Sequence, residues 1–120
     1  MSKIVIYGIK NCDTVKKSLK FLNENGASYE FVDFRKQSAT EENLDNWLSN
    51  VSWEILLNRR GTTWRKLPNE EKTDTNEKKA RKLMLENNSI IKRPILDIGG
   101  NITVGFNDLE YKEILENLNQ

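Results

Sequence analysis

A chain of 120 residues, 37% of them hydrophobic and 31% charged, is long enough to bury a core without disulfides or metal and reads as one domain. Its net charge of +1 supplies no overall field toward nucleic acid or a membrane surface, and no apolar run reaches membrane-spanning length. A single cysteine excludes an intramolecular disulfide, and the absence of histidine excludes a Cys/His zinc site and a Cys–His nucleophile pair.

Residues Lys3 to Tyr7 predict a buried strand; this run is too short, and too soon followed by charge, to be a signal peptide. A polar loop after Gly8 carries Lys10, Asn11 and Cys12. From Asp13 to Asn25, Val15, Leu19 and Leu22 recur at helical spacing, with Ser18 on the same side, and Gly26 is a stop signal. Tyr29 to Phe34 alternates and predicts a second strand. The unit is β-α-β, so these strands are expected to be parallel. After a polar link at Arg35 to Ala39, Thr40-Glu41-Glu42 has the character of a helix start, with Leu44, Trp47, Leu48 and Val51 as its apolar face. Trp53 to Leu57 predicts a short helical piece, and Trp47 and Trp53 are assigned to the core.

Asn58 to Leu67 is a basic segment broken by Gly61, and Pro68 to Thr73 a charged linker. Asp74 with Glu77 three residues on fits a capping signal for a helix buried through Ala80, Leu83 and Met84 and ending near Asn87 or Asn88. Ile90 to Ile98 and Ile102 to Val104 flank Gly99-Gly100-Asn101 and predict two antiparallel strands joined by a tight turn. The last helix starts at Asn107, with Glu110 as capping partner. A β-α-β unit, a helical insertion over about 40–88 and a β-β-α unit make an α/β chain of thioredoxin-like arrangement with a mixed four-stranded sheet, one domain over 1–120.

Cys12 falls where the first strand gives way to a helix. Free amide N–H groups and the positive end of the helix dipole favour an anion there, and a thiolate is one. The other reading is a cysteine that merely packs; the polar loop beside Lys10 favours reactivity. A free thiol near pKa ~8.5 is only ~3% thiolate at pH 7, and lowering it to ~6.5 gives ~75%. With no histidine, helix geometry and cations must supply that shift.

The opening YGIKNCDTVKKSLKFL, the middle NRRGTTWRKL, the segment IIKRPIL and the later VGFND resemble, in order and over nearly the whole chain, the arsenate reductase/Spx family, and within it the YffB-like subgroup. The resemblance implies a thioredoxin-like sheet with a helical insertion and makes Cys12 the redox cysteine. It aligns Arg60 and Arg93 with active-site arginines and Pro94 with a cis-proline facing the cysteine loop. Without it, either arginine reads as a solvated surface charge and Pro94 as trans. Arg59 is the adjacent rival of Arg60. Lys10 and Asn11 line the cysteine loop or are simply solvated; Thr62, Thr63 and Trp64 form part of a pocket wall, or Trp64 belongs to the core.

Two departures narrow the function. Position 15 is valine, so there is no C-x-x-C pair and no Spx-like internal disulfide switch. Val104-Gly105-Phe106-Asn107 lacks the arginine that arsenate reductases of this type carry after the second hairpin strand, which weakens an oxyanion site. The expectation is a cytoplasmic, monomeric, monothiol thiol–disulfide oxidoreductase. It holds no metal or bound cofactor and uses glutathione or another small thiol as co-substrate, with glutaredoxin a further candidate partner. Arsenate reduction and a Spx-like regulator that binds RNA polymerase are the alternatives.

Overall fold

The computed structural model describes residues 3–118. These fall into two compact units: one runs to Gln37 and resumes at Arg93, and the other spans Ser38–Lys92. The segment read from the sequence as a helical insertion lies inside the second.

The first unit is built on β1 (Ile4–Gly8), α1 (Asp13–Glu24), β2 (Glu30–Asp33), β3 (Ile95–Ile98), β4 (Asn101–Val104) and α7 (Asp108–Leu118). The sheet order is β2-β1-β3-β4, with β1 parallel to β2 and antiparallel to β3, and β3 antiparallel to β4. This is the mixed four-stranded, thioredoxin-like sheet. Alternation along β1 sends Ile4 and Ile6 to one face. There they meet Leu22 of α1, Leu96 and Ile98 of β3 and Tyr111 of α7 in one buried cluster. The Phe106 and Tyr111 rings meet edge to face with centroids 4.8 Å apart. Burial pushes the Tyr111 hydroxyl up to about 12, with the Ser18 hydroxyl pulling the other way and the Glu110 charge adding to the rise. Among the described residues the Tyr111 oxygen has no partner at ordinary hydrogen-bond geometry.

The second unit contains α2 (Glu41–Asn50), α3 (Trp53–Leu56), α4 (Thr62–Lys66), α5 (Asn69–Lys72), α6 (Glu77–Glu86) and a 3-10 turn at Asn88–Ile90. Thr40 caps α2 through a reciprocal box: its hydroxyl accepts from the Asn43 N–H, and the Asn43 side chain accepts from the Thr40 N–H, each at 3.0 Å. Thr40→Ala removes one acceptor for a helix-end amide. It is expected to cost about 1 kcal/mol in urea unfolding without changing the slope.

Several local expectations are corrected. Asp74 has φ 51, outside the extended region that a cap residue occupies. Asn76 caps α6 instead, its side chain accepting from the Lys79 N–H at 2.9 Å. The basic segment and the charged linker each contain a single short helix, α4 and α5. Trp53 is only half-buried, with the Arg59 guanidinium 5.2 Å above its ring, so it is not a core residue. The strand predicted from Ile90 begins only at Ile95. Upstream, Ile91 bridges to Leu57 and the Lys92 N–H bonds to Leu56 C=O, so this backbone serves the second unit. Pro94 then interrupts the ladder because it has no N–H to donate.

Candidate active site

The site forms at the C-terminal end of β1. There the chain turns sharply, the Cys12 N–H bonding to Ile9 C=O at 3.1 Å, and α1 begins at once. Cys12 is the N-cap residue, in extended conformation, and its carbonyl accepts from the Lys16 N–H at 2.9 Å. No side chain makes a capping hydrogen bond to this helix; the Val15 and Thr14 amides act on the Cys12 sulfur as oriented dipoles. The helix has 12 residues, so its positive end adds to their effect.

Register brings the cation. Antiparallel pairing sets Tyr7 opposite Ile95. Pro94 and Arg93 immediately precede that pairing, and Arg93 reaches the Cys12 sulfur. The Arg93–Pro94 peptide is cis, the geometry that the resemblance implies. Beyond the end of β4, Gly105 adopts φ +83, and its N–H donates to Pro94 C=O at 2.8 Å. That bond ties the proline loop to the hairpin. The half-buried Arg93 presents its guanidinium to the half-buried Cys12 sulfur as a hydrogen-bond donor.

The balance of effects favours the thiolate. Burial pushes the Cys12 thiol up, and it is the largest single influence. Four others pull down and together outweigh it: the Val15 N–H, the Arg93 hydrogen bond, the Thr14 N–H and the Arg93 charge. The thiol is thus held below its ordinary value, as expected for a cysteine at a helix N-terminus beside a cation.

Of the residues singled out in the sequence, the structure brings Cys12, Arg93 and Pro94 together within the first unit. Lys10 and Asn11 are exposed on the same loop. Arg60, Thr63 and Trp64 belong to the second unit. Arg60 is exposed, its N–H donating to the Asn58 side-chain oxygen at 3.0 Å. Thr63 is half-buried and accepts from the Ser89 hydroxyl at 2.8 Å, and Trp64 is buried. Among the described residues no group of three or more Cys, His, Asp or Glu side chains is placed to hold a metal.

A sequence model of the ArsC family matches residues 7–114. The chain belongs to the ArsC family. An uncharacterized protein of Haemophilus influenzae is 38% identical over 109 residues, which are 91% of this chain and 96% of that protein. Among solved structures, the YffB (PA3664) protein superposes with a TM-score of 0.90 at 43% identity, covering 92% of this chain and 97% of that one. An arsenate reductase (ArsC) related protein from Brucella melitensis gives a TM-score of 0.75 at 45% identity, with 92% of each chain covered. The ArsC match spans both structural units and contains Cys12 and Arg93.

Sequence reasoning gave no part to Gly8, whose role is steric, or to Lys36. For Lys36 a signal existed: in a β-α-β unit the turns after the two parallel strands lie at the same end of the sheet, where ligands bind in open α/β sheets. The Arg35-Lys36 pair follows β2 as Lys10 follows β1.

Proposed function

We propose that this ArsC-family protein is a monothiol, glutathione-linked thiol–disulfide oxidoreductase with Cys12 as its nucleophile. The observation that carries this reading is the ionisation-favouring setting of the one cysteine in the chain, between the first amides of α1 and the Arg93 guanidinium. The thiolate attacks the glutathione sulfur of a mixed disulfide. A Cys12–glutathione bond forms, the substrate S–S bond breaks, and the substrate sulfur leaves with the electron pair and takes a proton from water. A second glutathione thiolate then attacks the adduct, releasing oxidised glutathione and restoring the Cys12 thiolate. Two glutathione molecules are joined and one substrate thiol is freed, so the electrons balance without a bound cofactor. With no second cysteine to compete, resolution falls to the external thiol. Glutaredoxin is a further candidate for that step, in a reducing compartment. Arg93 has a second use, because its planar fork holds a carboxylate bidentately. Among the described residues no helix is long and apolar enough to cross a membrane.

Incubation with oxidised glutathione, followed by mass spectrometry of the intact protein and its peptides, is expected to show one glutathione adduct, on Cys12. Cys12→Ser is expected to show none, and dithiothreitol to reverse the adduct. Unmodified wild-type protein after prolonged incubation would overturn the proposal.

A further inference from the structure

Beside the cysteine loop, still within the first unit, lies an open cavity of about 360 Å³ whose walls include Leu19 of α1 and Phe31 and Val32 of β2. Leu19 and Phe31 are half-buried, each with one side packed on the core cluster and part of its surface left exposed. Lys10 and Lys36 stand at the cavity as well. Both are exposed, and neither makes an ion pair among the described residues. The one acid at the cavity, Asp33, already accepts from the Arg35 N–H at 3.0 Å through a side-chain oxygen. The lining therefore combines an apolar floor with two uncommitted ammonium groups against one engaged carboxylate.

Position links this cavity to the sulfur. Lys10 precedes Cys12 by two residues, so their Cα atoms are at most ~7 Å apart, and the turn at Ile9 draws them closer. A disulfide under attack by Cys12 places the group on one of its sulfurs within reach of Lys10. Apolar surface with a few placed polar groups is the usual make-up of a small-molecule site. Two ammonium groups select an anion.

We infer that this cavity is a specificity site for the disulfide substrate, taking an apolar group that ends in a carboxylate, with Lys10 and Lys36 as its specificity-determining residues. The inference rests on Cys12 being the nucleophile proposed above, and it names the chemistry of the substrate half that is released. Lys36 holds the carboxylate; Lys10 shares it and orients the S–S bond toward the sulfur; Leu19 and Phe31 cover the apolar body.

Two reagents with equivalent chemistry and different charge test this. The aryl disulfide 5,5′-dithiobis(2-nitrobenzoate) carries an aromatic body with a carboxylate, and 4,4′-dithiodipyridine is neutral. With either, Cys12 forms a mixed disulfide, the S–S bond breaks, and one aryl thiolate leaves with the electron pair and is read by absorbance. The ratio of the two second-order rate constants cancels any change in Cys12 ionisation. Lys36→Gln is expected to lower the ratio ~3- to 10-fold, and Lys10→Gln/Lys36→Gln further, with the dithiodipyridine rate nearly constant. Lys17→Gln, an exposed α1 lysine outside the cavity, is expected to leave the ratio unchanged. A ratio unmoved by Lys36→Gln, or lowered equally by Lys17→Gln, would overturn the cavity assignment while Cys12 still reacts with both reagents. A Cys12 no faster than a free thiol toward either reagent would overturn the proposed nucleophile as well.

Discussion

Replacing Arg93 with alanine is expected to move the midpoint of Cys12 alkylation to higher pH and to cut the reaction at neutral pH several-fold. The sign follows from the forces on the sulfur. Burial opposes the thiolate; the Val15 and Thr14 amides and Arg93 favour it, and the favourable set prevails. Arg93 enters twice, as a hydrogen-bond donor and as a charge. Without it, burial faces the two amides alone, so the midpoint must rise. Below both midpoints, each unit of rise removes ~10-fold of thiolate. The thiolate that remains is more nucleophilic, with a Brønsted slope of ~0.4–0.5, so attack on a disulfide falls only ~3- to 4-fold per unit. The check is the iodoacetamide labelling rate of wild type, Arg93→Ala and Arg93→Lys over a pH series. Wild type should plateau below the pH of a free thiol, Arg93→Ala above wild type, and Arg93→Lys between them, since lysine keeps the charge but not the planar fork. Coincident profiles for wild type and Arg93→Ala would remove Arg93 from the site and leave helix geometry as the only activating device.

The parts of this molecule that were legible in its sequence are those set by neighbours along the chain. The apolar run that ends at Gly8, the helical spacing of Val15, Ser18 and Leu22, and the caps Thr40 and Asn107 all act within a few residues, and each stands where the pattern puts it. The misplacements share a cause. Ile90 and Ile91 are as apolar as Ile95 and Leu96, and composition cannot tell that the first pair serves a turn and a bridge to Leu57 while the second pairs with β1. Asp74 and Asn76 are both good cap residues, and the left-handed backbone at Asp74 decides between them. The site is the extreme case. Nothing near Cys12 in sequence announces Arg93; the family resemblance supplied it, and the Tyr7–Ile95 register explains it. The cavity at Lys36 arises from the crossover of α1 between two parallel strands, and needed coordinates to be seen.

That crossover also fixes how firmly the sulfur is held, through a contact of two residues outside the chemistry. Gly8 ends β1 and Val15 begins the buried stripe of α1. A methyl group on Gly8 would lie 2.7 Å from one Val15 methyl, well inside van der Waals contact, and 3.4 Å from the other. Val15 is wholly buried, and a β-branched side chain in a helix is confined largely to one rotamer, so it cannot swing aside. The strain must be relieved by moving the first turn of α1, which carries the Val15 and Thr14 amides that face the sulfur. Gly8→Ala is therefore expected to destabilise the protein by about 1–3 kcal/mol, the usual cost of overpacking a core. It should also raise the pH midpoint of Cys12 alkylation, although residue 8 carries no charge. Val15→Ala alone should cost about 1–3 kcal/mol as a cavity. In the double variant the new methyl occupies the vacated space, so the two penalties should fall short of their sum by about 1 kcal/mol or more, and the Cys12 midpoint should return toward wild type. Urea unfolding and the labelling profile of the four proteins give both quantities. Strict additivity with an unshifted midpoint would mean that the strand and the helix do not meet at Gly8, and that the placement of the sulfur owes nothing to that glycine.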